Sequence, residues 1–163
     1  MFQPMVMLEI TKHATEEYPR EACGFVVDSG GTPEYVCQPN SAADPAKSYA
    51  IDPVLFDEYE DRLLAIVHSH PDGPEYPSIE DMRSALNSGV PNGIVCAYKR
   101  DDSPVRCSRP FFWGDGVQRP KLIGRVFRHG VTDCYALIKD WYKETEGIDL
   151  PEFPRDWGWW KTG

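Results

Sequence analysis

The chain has 163 residues, of which 41% are hydrophobic and 26% charged, so it suits one compact domain and excludes wholesale disorder. A net charge of −9 without a basic stripe excludes a general nucleic-acid binder, which must neutralise phosphates with clustered cations. The sequence contains no apolar run of about 18 residues, so we expect no membrane span. The N-terminus also lacks the pattern of a cleaved signal peptide.

The first third of the chain predicts a helix, a β-hairpin and a second, short helix. Residues 5–18 carry apolar side chains at helical spacing and end before Pro19, which marks a helix stop. The apolar run 22–27 and residues 34–37, separated by a glycine-rich turn, predict the two strands of a hairpin. A proline at the start of residues 53–61 favours a helix there.

The middle of the chain predicts strands around a capped helix. The continuous apolar run 63–67 is typical of a central strand that is buried on both faces. Residues 71–77 contain three prolines and a glycine, which predict a loop, and residues 78–89 predict a helix that ends at a glycine. Residues 93–98 predict another buried strand, and residues 105–112 a further one.

This order of elements predicts an α/β domain of three layers with a mixed sheet over residues 1–113. Residues 114–131 predict a linker, and residues 132–163 an incomplete C-terminal helical segment. The helix of that segment carries one apolar stripe, which consists of Cys134, Leu137, Ile138, Trp141 and Tyr142.

Three side chains of the types that bind zinc follow the predicted central strand. His68 and His70 stand two residues apart, so both imidazoles face the same side of an extended strand. Asp81 lies in the first turn of the next predicted helix, and the intervening loop is long enough to bring that turn over the strand end. Two histidines and one carboxylate form a catalytic zinc set that leaves a fourth position for water.

Glu21 is the candidate proton shuttle for such a site. Zinc lowers the pKa of its bound water to about 7, and a carboxylate must then pass a proton to the leaving amine. Glu21 immediately precedes the predicted strand 22–27, which is a predicted neighbour of the strand 63–67.

Each of these residues also has an ordinary structural interpretation. A His-x-His pair alone is weak evidence for a metal. Ser78 and Asp81 belong to a capping box, which by itself explains both as the start of a helix, and Glu21 has the position of a surface acid before a strand. The combination of an apolar strand, His-x-His, a proline-rich loop and a capped helix with an aspartate favours the metal site.

The segment from His68 to Asp81 resembles the JAMM motif of MPN-domain metallopeptidases: His-x-His, seven residues, Ser, two residues and Asp, with an upstream Glu. The resemblance implies a cytidine-deaminase-like three-layer sandwich and hydrolysis of an amide or isopeptide bond. It also implies one zinc ion on His68, His70 and Asp81, Glu21 as the general acid/base, and Ser78 as a group that stabilises the oxyanion.

Residues 130–135 resemble the start of an NlpC-type cysteine peptidase domain, and this combination resembles the K family of tail assembly proteins from lambda-like phages. In such a domain Cys134 is the nucleophile, and its place in a first helical turn favours the thiolate. A cysteine nucleophile needs a histidine base, and none of the four histidines follows Cys134. We therefore expect Cys134 to be inactive in this chain, which is either a fragment of a longer protein or has lost its second domain.

The same resemblance implies other phage tail-tip proteins as partners and peptidoglycan peptides as substrate. Five cysteines without a Cys-x-x-Cys pair exclude a disulfide framework and fit a reducing compartment, so we expect the host cytoplasm during assembly and then the virion tail tip. The alternative is a tail-tip assembly or structural protein that retains the zinc site without catalysis.

Two other hydrolase classes are excluded by their requirements. A zinc nucleobase deaminase needs His-x-Glu and Pro-Cys-x-x-Cys, and the sequence has neither. An amidohydrolase barrel with His-x-His needs roughly 250 residues. Ubiquitin removal occurs in the wider JAMM family, but nothing in a chain of this size points to ubiquitin.

Overall fold

A computed structural model describes residues 2–161 and contains four helices and six strands in that range. The helices are α1 (Pro4–Glu17), α2 (Pro53–Tyr59), α3 (Ile79–Ser88) and α4 (Cys134–Glu146). The strands are β1 (Cys23–Asp28), β2 (Pro33–Gln38), β3 (Leu63–Pro71), β4 (Asn92–Tyr98), β5 (Arg106–Cys107) and β6 (Phe111–Trp113). Single 3₁₀ turns lie at Glu60–Arg62 and Trp159–Lys161.

The six strands form one mixed sheet in the order β2-β1-β3-β4-β5, with β6 also paired to β4. β1 is antiparallel to both β2 and β3, whereas β3 and β4 are parallel. β5 and β6 pair antiparallel with opposite ends of β4. The predicted mixed α/β fold is confirmed.

The helices cover both faces of the sheet, so the core has three layers. On β1, alternate side chains point to opposite faces, as the pleat of a strand requires. Val26 packs with Val6 and Ile10 of α1, whereas Phe25 packs against Phe56 of α2 on the other face. α3 lies on the α2 side, where Ala85 packs against β4. β3 is therefore buried on both faces, as its apolar run predicts.

The single strand predicted over residues 105–112 is wrong. The structure has the two short strands β5 and β6, with a gap at residues 108–110. Pro110 has no N–H to donate, which breaks a ladder at that point. Ser108 replaces part of the ladder, because its Oγ accepts from the Cys96 N–H at 3.0 Å and its N–H donates to the Cys96 carbonyl at 2.8 Å.

The C-terminal helix α4 buries Ala136 and Asp140 rather than its apolar stripe. The stripe residues Leu137, Ile138, Trp141 and Tyr142 are exposed, whereas Ala136 and Asp140 are buried. Asp140 accepts from Arg125 at 2.7 Å, which ties α4 to the preceding segment. No helix within residues 2–161 is long and apolar enough to cross a membrane.

Candidate metal centre

Three side chains with zinc-binding groups meet where the carboxyl end of β3 faces the start of α3. His68 and His70 lie on β3, which continues through both histidines because it pairs with β4 as far as Pro71 and Ala97. Asp81 comes from the first turn of α3. All three side chains are buried, and they form a cluster of metal-binding type.

The spacing of the ligand atoms fits a tetrahedral zinc ion. The Nε2 atoms of His68 and His70 are 3.0 Å apart. Oδ1 of Asp81 lies 3.2 Å from Nε2 of His68, and its Oδ2 lies 3.4 Å from Nε2 of His70. Zinc bonds of 2.0–2.2 Å in a tetrahedron place ligand atoms roughly 3.3–3.6 Å apart. The donor set of this chain therefore has the chemistry that zinc prefers, and its spacing is within about 0.3 Å of the tetrahedral spacing.

The capping box of α3 also aims the carboxylate at the histidines. Ser78 Oγ accepts from the Asp81 N–H at 3.1 Å, and Asp81 Oδ2 accepts from the Ser78 N–H at 2.7 Å. The two sequence interpretations of Asp81 are thus compatible, because one rotamer caps the helix and faces His68 and His70. Ser78 Oγ also donates to Asp81 Oδ2 at 2.7 Å. A hydroxyl has one hydrogen, so it must turn away from Asp81 to donate to an oxyanion.

The two imidazoles are oriented by different contacts. His70 Nδ1 donates to the Pro74 carbonyl at 2.8 Å, which leaves Nε2 free to bind a metal. His68 Nδ1 is buried without a hydrogen-bond partner. Its ring instead stacks on Tyr49, with centroids 4.3 Å apart and an interplanar angle of 21°. No pattern in the sequence marks Tyr49 or Pro74, because both contacts arise from loops whose position only the fold determines.

The register of the sheet brings Glu21 beside the cluster of His68, His70 and Asp81. Cys23 of β1 pairs with His68 of β3 in the antiparallel ladder. Continuing this register by two residues along each strand brings the backbone of Glu21 opposite that of His70. Its backbone is fixed by a 2.6 Å bond from its N–H to the Pro45 carbonyl and by Asn40 Nδ2, which donates to its carbonyl at 2.9 Å.

The environment of Glu21 makes it a base near neutral pH. Burial raises the pKa of its carboxyl to about 7; the charge of His70 opposes this rise and that of Asp81 adds to it. A base whose pKa lies near the working pH transfers protons most efficiently. The pKa of Glu21 therefore lies near the value that a proton shuttle needs at neutral pH.

The protonation states of the three ligands favour metal binding, with one exception. Burial raises the pKa of Asp81, but hydrogen bonds from both histidines and Ser78 outweigh burial and hold that pKa far below its usual range. Burial lowers the pKa of His68, which keeps it neutral. Burial also acts to lower the pKa of His70, but bonds to Asp81 and the Pro74 carbonyl outweigh it and raise that pKa. In the metal-free site a proton therefore competes for His70.

Zinc affinity is expected to fall about tenfold per pH unit once the pH drops below the raised pKa of His70, because binding must then displace one proton. Titration calorimetry in buffers of different ionisation enthalpy measures both the affinity and the proton released. Zinc uptake that releases no proton below the pKa of His70 would contradict this assignment. His13 lies outside the cluster, so His13→Ala is the matched control and should show the wild-type pH dependence.

Comparison with known proteins places this site in a family. Residues 4–110 match the model of the prokaryotic homologs of the JAB domain. The chain belongs to this family. The matched span of the JAB domain contains Glu21, His68, His70, Ser78 and Asp81, and the resemblance to the JAMM/MPN proteins is confirmed. The JAB/MPN family includes the JAMM proteases, and JAMM-type domains bind zinc.

Two phage proteins named tail tip assembly protein K are similar to this JAB-domain chain. The protein of Escherichia phage N15 is 31% identical over 155 residues, which cover 94% of this chain and 60% of the relative. That of Escherichia phage lambda is 38% identical over 106 residues, which cover 65% of this chain and 46% of the relative. The chain therefore spans about half of the length of these two relatives.

A third relative comes from a bacterium. The "Probable TtuB-protein conjugate cleaving protease" of Thermus thermophilus is 31% identical over 93 residues, which cover 52% of this chain and 63% of that protein. Cys134 lies outside the matched JAB domain, where it is exposed at the first position of α4, and the structure does not bring it into the metal cluster.

Proposed function

We propose that this JAB domain is a single-zinc hydrolase that cleaves an amide or isopeptide bond. The observation that carries the proposal is the convergence of His68, His70 and Asp81 at distances of 3.0–3.4 Å, with the buried Glu21 near enough for its carboxyl to interact with the charge of His70. Zinc, when bound there, supplies a Lewis acid that lowers the pKa of water to about 7.

The chain's own residues would move the proton and stabilise the developing charge. Glu21 would accept a proton from the attacking water and deliver it to the leaving amine, since its pKa is about 7. Ser78, once turned from Asp81, would donate to the oxyanion, where a single preorganised donor contributes about 3–4 kcal/mol.

The setting that we propose is the phage tail tip. The relatives from phages N15 and lambda are named tail tip assembly proteins, which supports other tail-tip proteins as partners and the virion tail tip as the location. The host cytoplasm during assembly is part of the same proposal. A tail tip meets the cell wall, and the cross-links of peptidoglycan are amide bonds. We therefore propose peptidoglycan peptides as the substrate. The Thermus relative, named as a conjugate-cleaving protease, supports the wider amide and isopeptide class.

The alternative function is a tail-tip assembly protein that retains the zinc site without turnover. The names of the two phage relatives, which mention assembly, favour it. The two proposals differ in the role of Glu21, since an assembly protein needs the metal ligands for stability but does not need a proton shuttle.

The domain division that we propose is a metallopeptidase domain over residues 1–113, a linker over 114–131 and the start of an NlpC-type domain over 132–163. The family match, which ends at residue 110, and the length of both phage relatives support it. Cys134 would then hold the position of the nucleophile of that second domain.

Zinc analysis is the first test of the proposed function. Protein purified without chelator should contain about one zinc per chain, and His68→Ala/His70→Ala should contain none, because one carboxylate cannot hold the ion. Circular dichroism of both proteins checks that the variant folds. A wild type that takes up no zinc even from added salt would overturn the hydrolase proposal and leave only an assembly role that does not depend on zinc.

A further inference from the structure

The loop that orients His70 is irregular and needs support from outside. This loop, residues 72–77, provides the Pro74 carbonyl that accepts from His70 Nδ1. Asp72 and Gly73 have left-handed backbone, with φ of 58° and 93°, so no regular ladder runs along the loop. Its first residue is held by the sheet, since the Asp72 N–H donates to the Ala97 carbonyl at 2.8 Å.

The second half of the loop is held by the segment beyond the matched family domain. Arg128 Nε donates to the Glu75 carbonyl at 2.9 Å. The guanidinium of Arg128 also lies 3.7 Å from the centre of the Phe111 ring on β6, which fixes the arginine against the sheet. One side chain thus connects the loop to the edge of the domain.

Aromatic contacts hold the next residue of the loop. The Tyr76 ring stacks on Trp157, with centroids 5.3 Å apart and an angle of 19°, and meets the edge of His129 at 5.4 Å. Offset-stacked and edge-to-face arrangements are the favourable ones for aromatic rings. His129 is itself buried, and the Arg155 carbonyl lies 3.0 Å from its Nε2.

A buried ion pair holds Arg155, whose carbonyl contacts His129, in place. Arg155 donates to both carboxylate oxygens of Asp133 at 2.7 Å, and Asp133 caps α4 by accepting from the Ala136 N–H at 3.0 Å. The C-terminal segment is therefore a folded support for the loop, despite its few helical residues.

We propose that Arg128, His129 and Trp157 form a clamp that positions the zinc ligand His70 through the loop 72–77. None of the three belongs to the cluster of ligands, so each is a positioning residue that acts through the Pro74 carbonyl. A partner that orients a ligating histidine contributes 10–100-fold to metal affinity. The inference rests on the proposed zinc site and extends it to residues outside the JAB domain.

Trp157→Ala in the full chain tests the clamp. We expect zinc affinity, measured by competition with a fluorescent chelator, to fall about tenfold, because the loop then samples positions in which Pro74 no longer faces His70. Trp157→Phe keeps a ring on Tyr76 and should restore the affinity. Trp141→Ala removes an exposed tryptophan of α4 that packs on Tyr142, and it should bind zinc like the wild type.

A second measurement needs no variant. Coupling between two sites is reciprocal, so zinc should slow hydrogen exchange of the Val131 and Thr132 amides, which donate to the Arg128 carbonyl. Equal zinc affinity in Trp157→Ala and wild type, or amide exchange that zinc leaves unchanged, overturns the clamp and leaves the proposed hydrolase intact. A wild type that binds no zinc overturns both.

Discussion

Glu21→Gln is expected to keep its zinc and to lose about 10²–10⁴-fold in hydrolysis, the usual contribution of a general acid/base. Glutamine has nearly the same shape as glutamate, but its amide does not accept a proton from water. Glu21 is not one of the three clustered ligands, so the metal content should remain near that of the wild type. The measurement is zinc content and kcat/KM, taken side by side on peptidoglycan peptides and on an isopeptide-linked substrate.

Glu16→Gln is the matched control for this experiment. It makes the same chemical change on α1, where Glu16 is exposed and pairs with Lys12. Its activity should equal that of the wild type. If Glu21→Gln retained full activity, another group would have to carry the proton. If the variant and the wild type supported phage assembly equally and neither cleaved any peptide, the assembly role would be the better account.

The centre of the site was predictable because its geometry follows from local periodicity. Side chains two apart on a strand share a face, which places His68 and His70 together. The capping box fixes the rotamer of Asp81, so the helix start and the metal ligand are one local structure. The position of Glu21 near these residues needed one longer step, the pairing of β1 with β3, which the two apolar runs already favoured.

The supports of the site could not be predicted in the same way. Tyr49 reaches His68 from the loop between β2 and α2, and Trp157 reaches Tyr76 across 81 positions of the sequence. Neither contact follows a helical or strand period. The predicted linker, residues 114–131, likewise gave no sign that Arg128 would bind the Glu75 carbonyl. Such contacts depend on the packing of loops, which a single sequence does not encode as a repeat.

Glu21→Gln is also expected to stabilise the metal-free protein more at about pH 8 than at about pH 4.5. Glu21 has a pKa of about 7 when folded against 4.5 as its ordinary value. Well below pH 4.5 the carboxyl is protonated in both states, and at pH 4.5 the unfolded chain has lost about half of this proton. As the pH rises to 7, the unfolded chain loses this proton while the folded chain retains it. Folding therefore becomes less favourable with rising pH, by up to about 3 kcal/mol for a fully buried group.

Glutamine does not titrate, so the variant does not lose this unfolding free energy as the pH rises. Every other titrating group is present in both proteins. We expect the difference in unfolding free energy between variant and wild type to grow by about 2 kcal/mol across that range, because burial of Glu21 is nearly but not fully complete. In a domain of this size, that corresponds to about 4–8 °C in Tm. Urea unfolding of chelator-treated protein at both pH values measures it. A difference that stays constant would mean that Glu21 ionises near its ordinary pKa, and a carboxyl of that acidity would be a weak proton acceptor for hydrolysis at neutral pH.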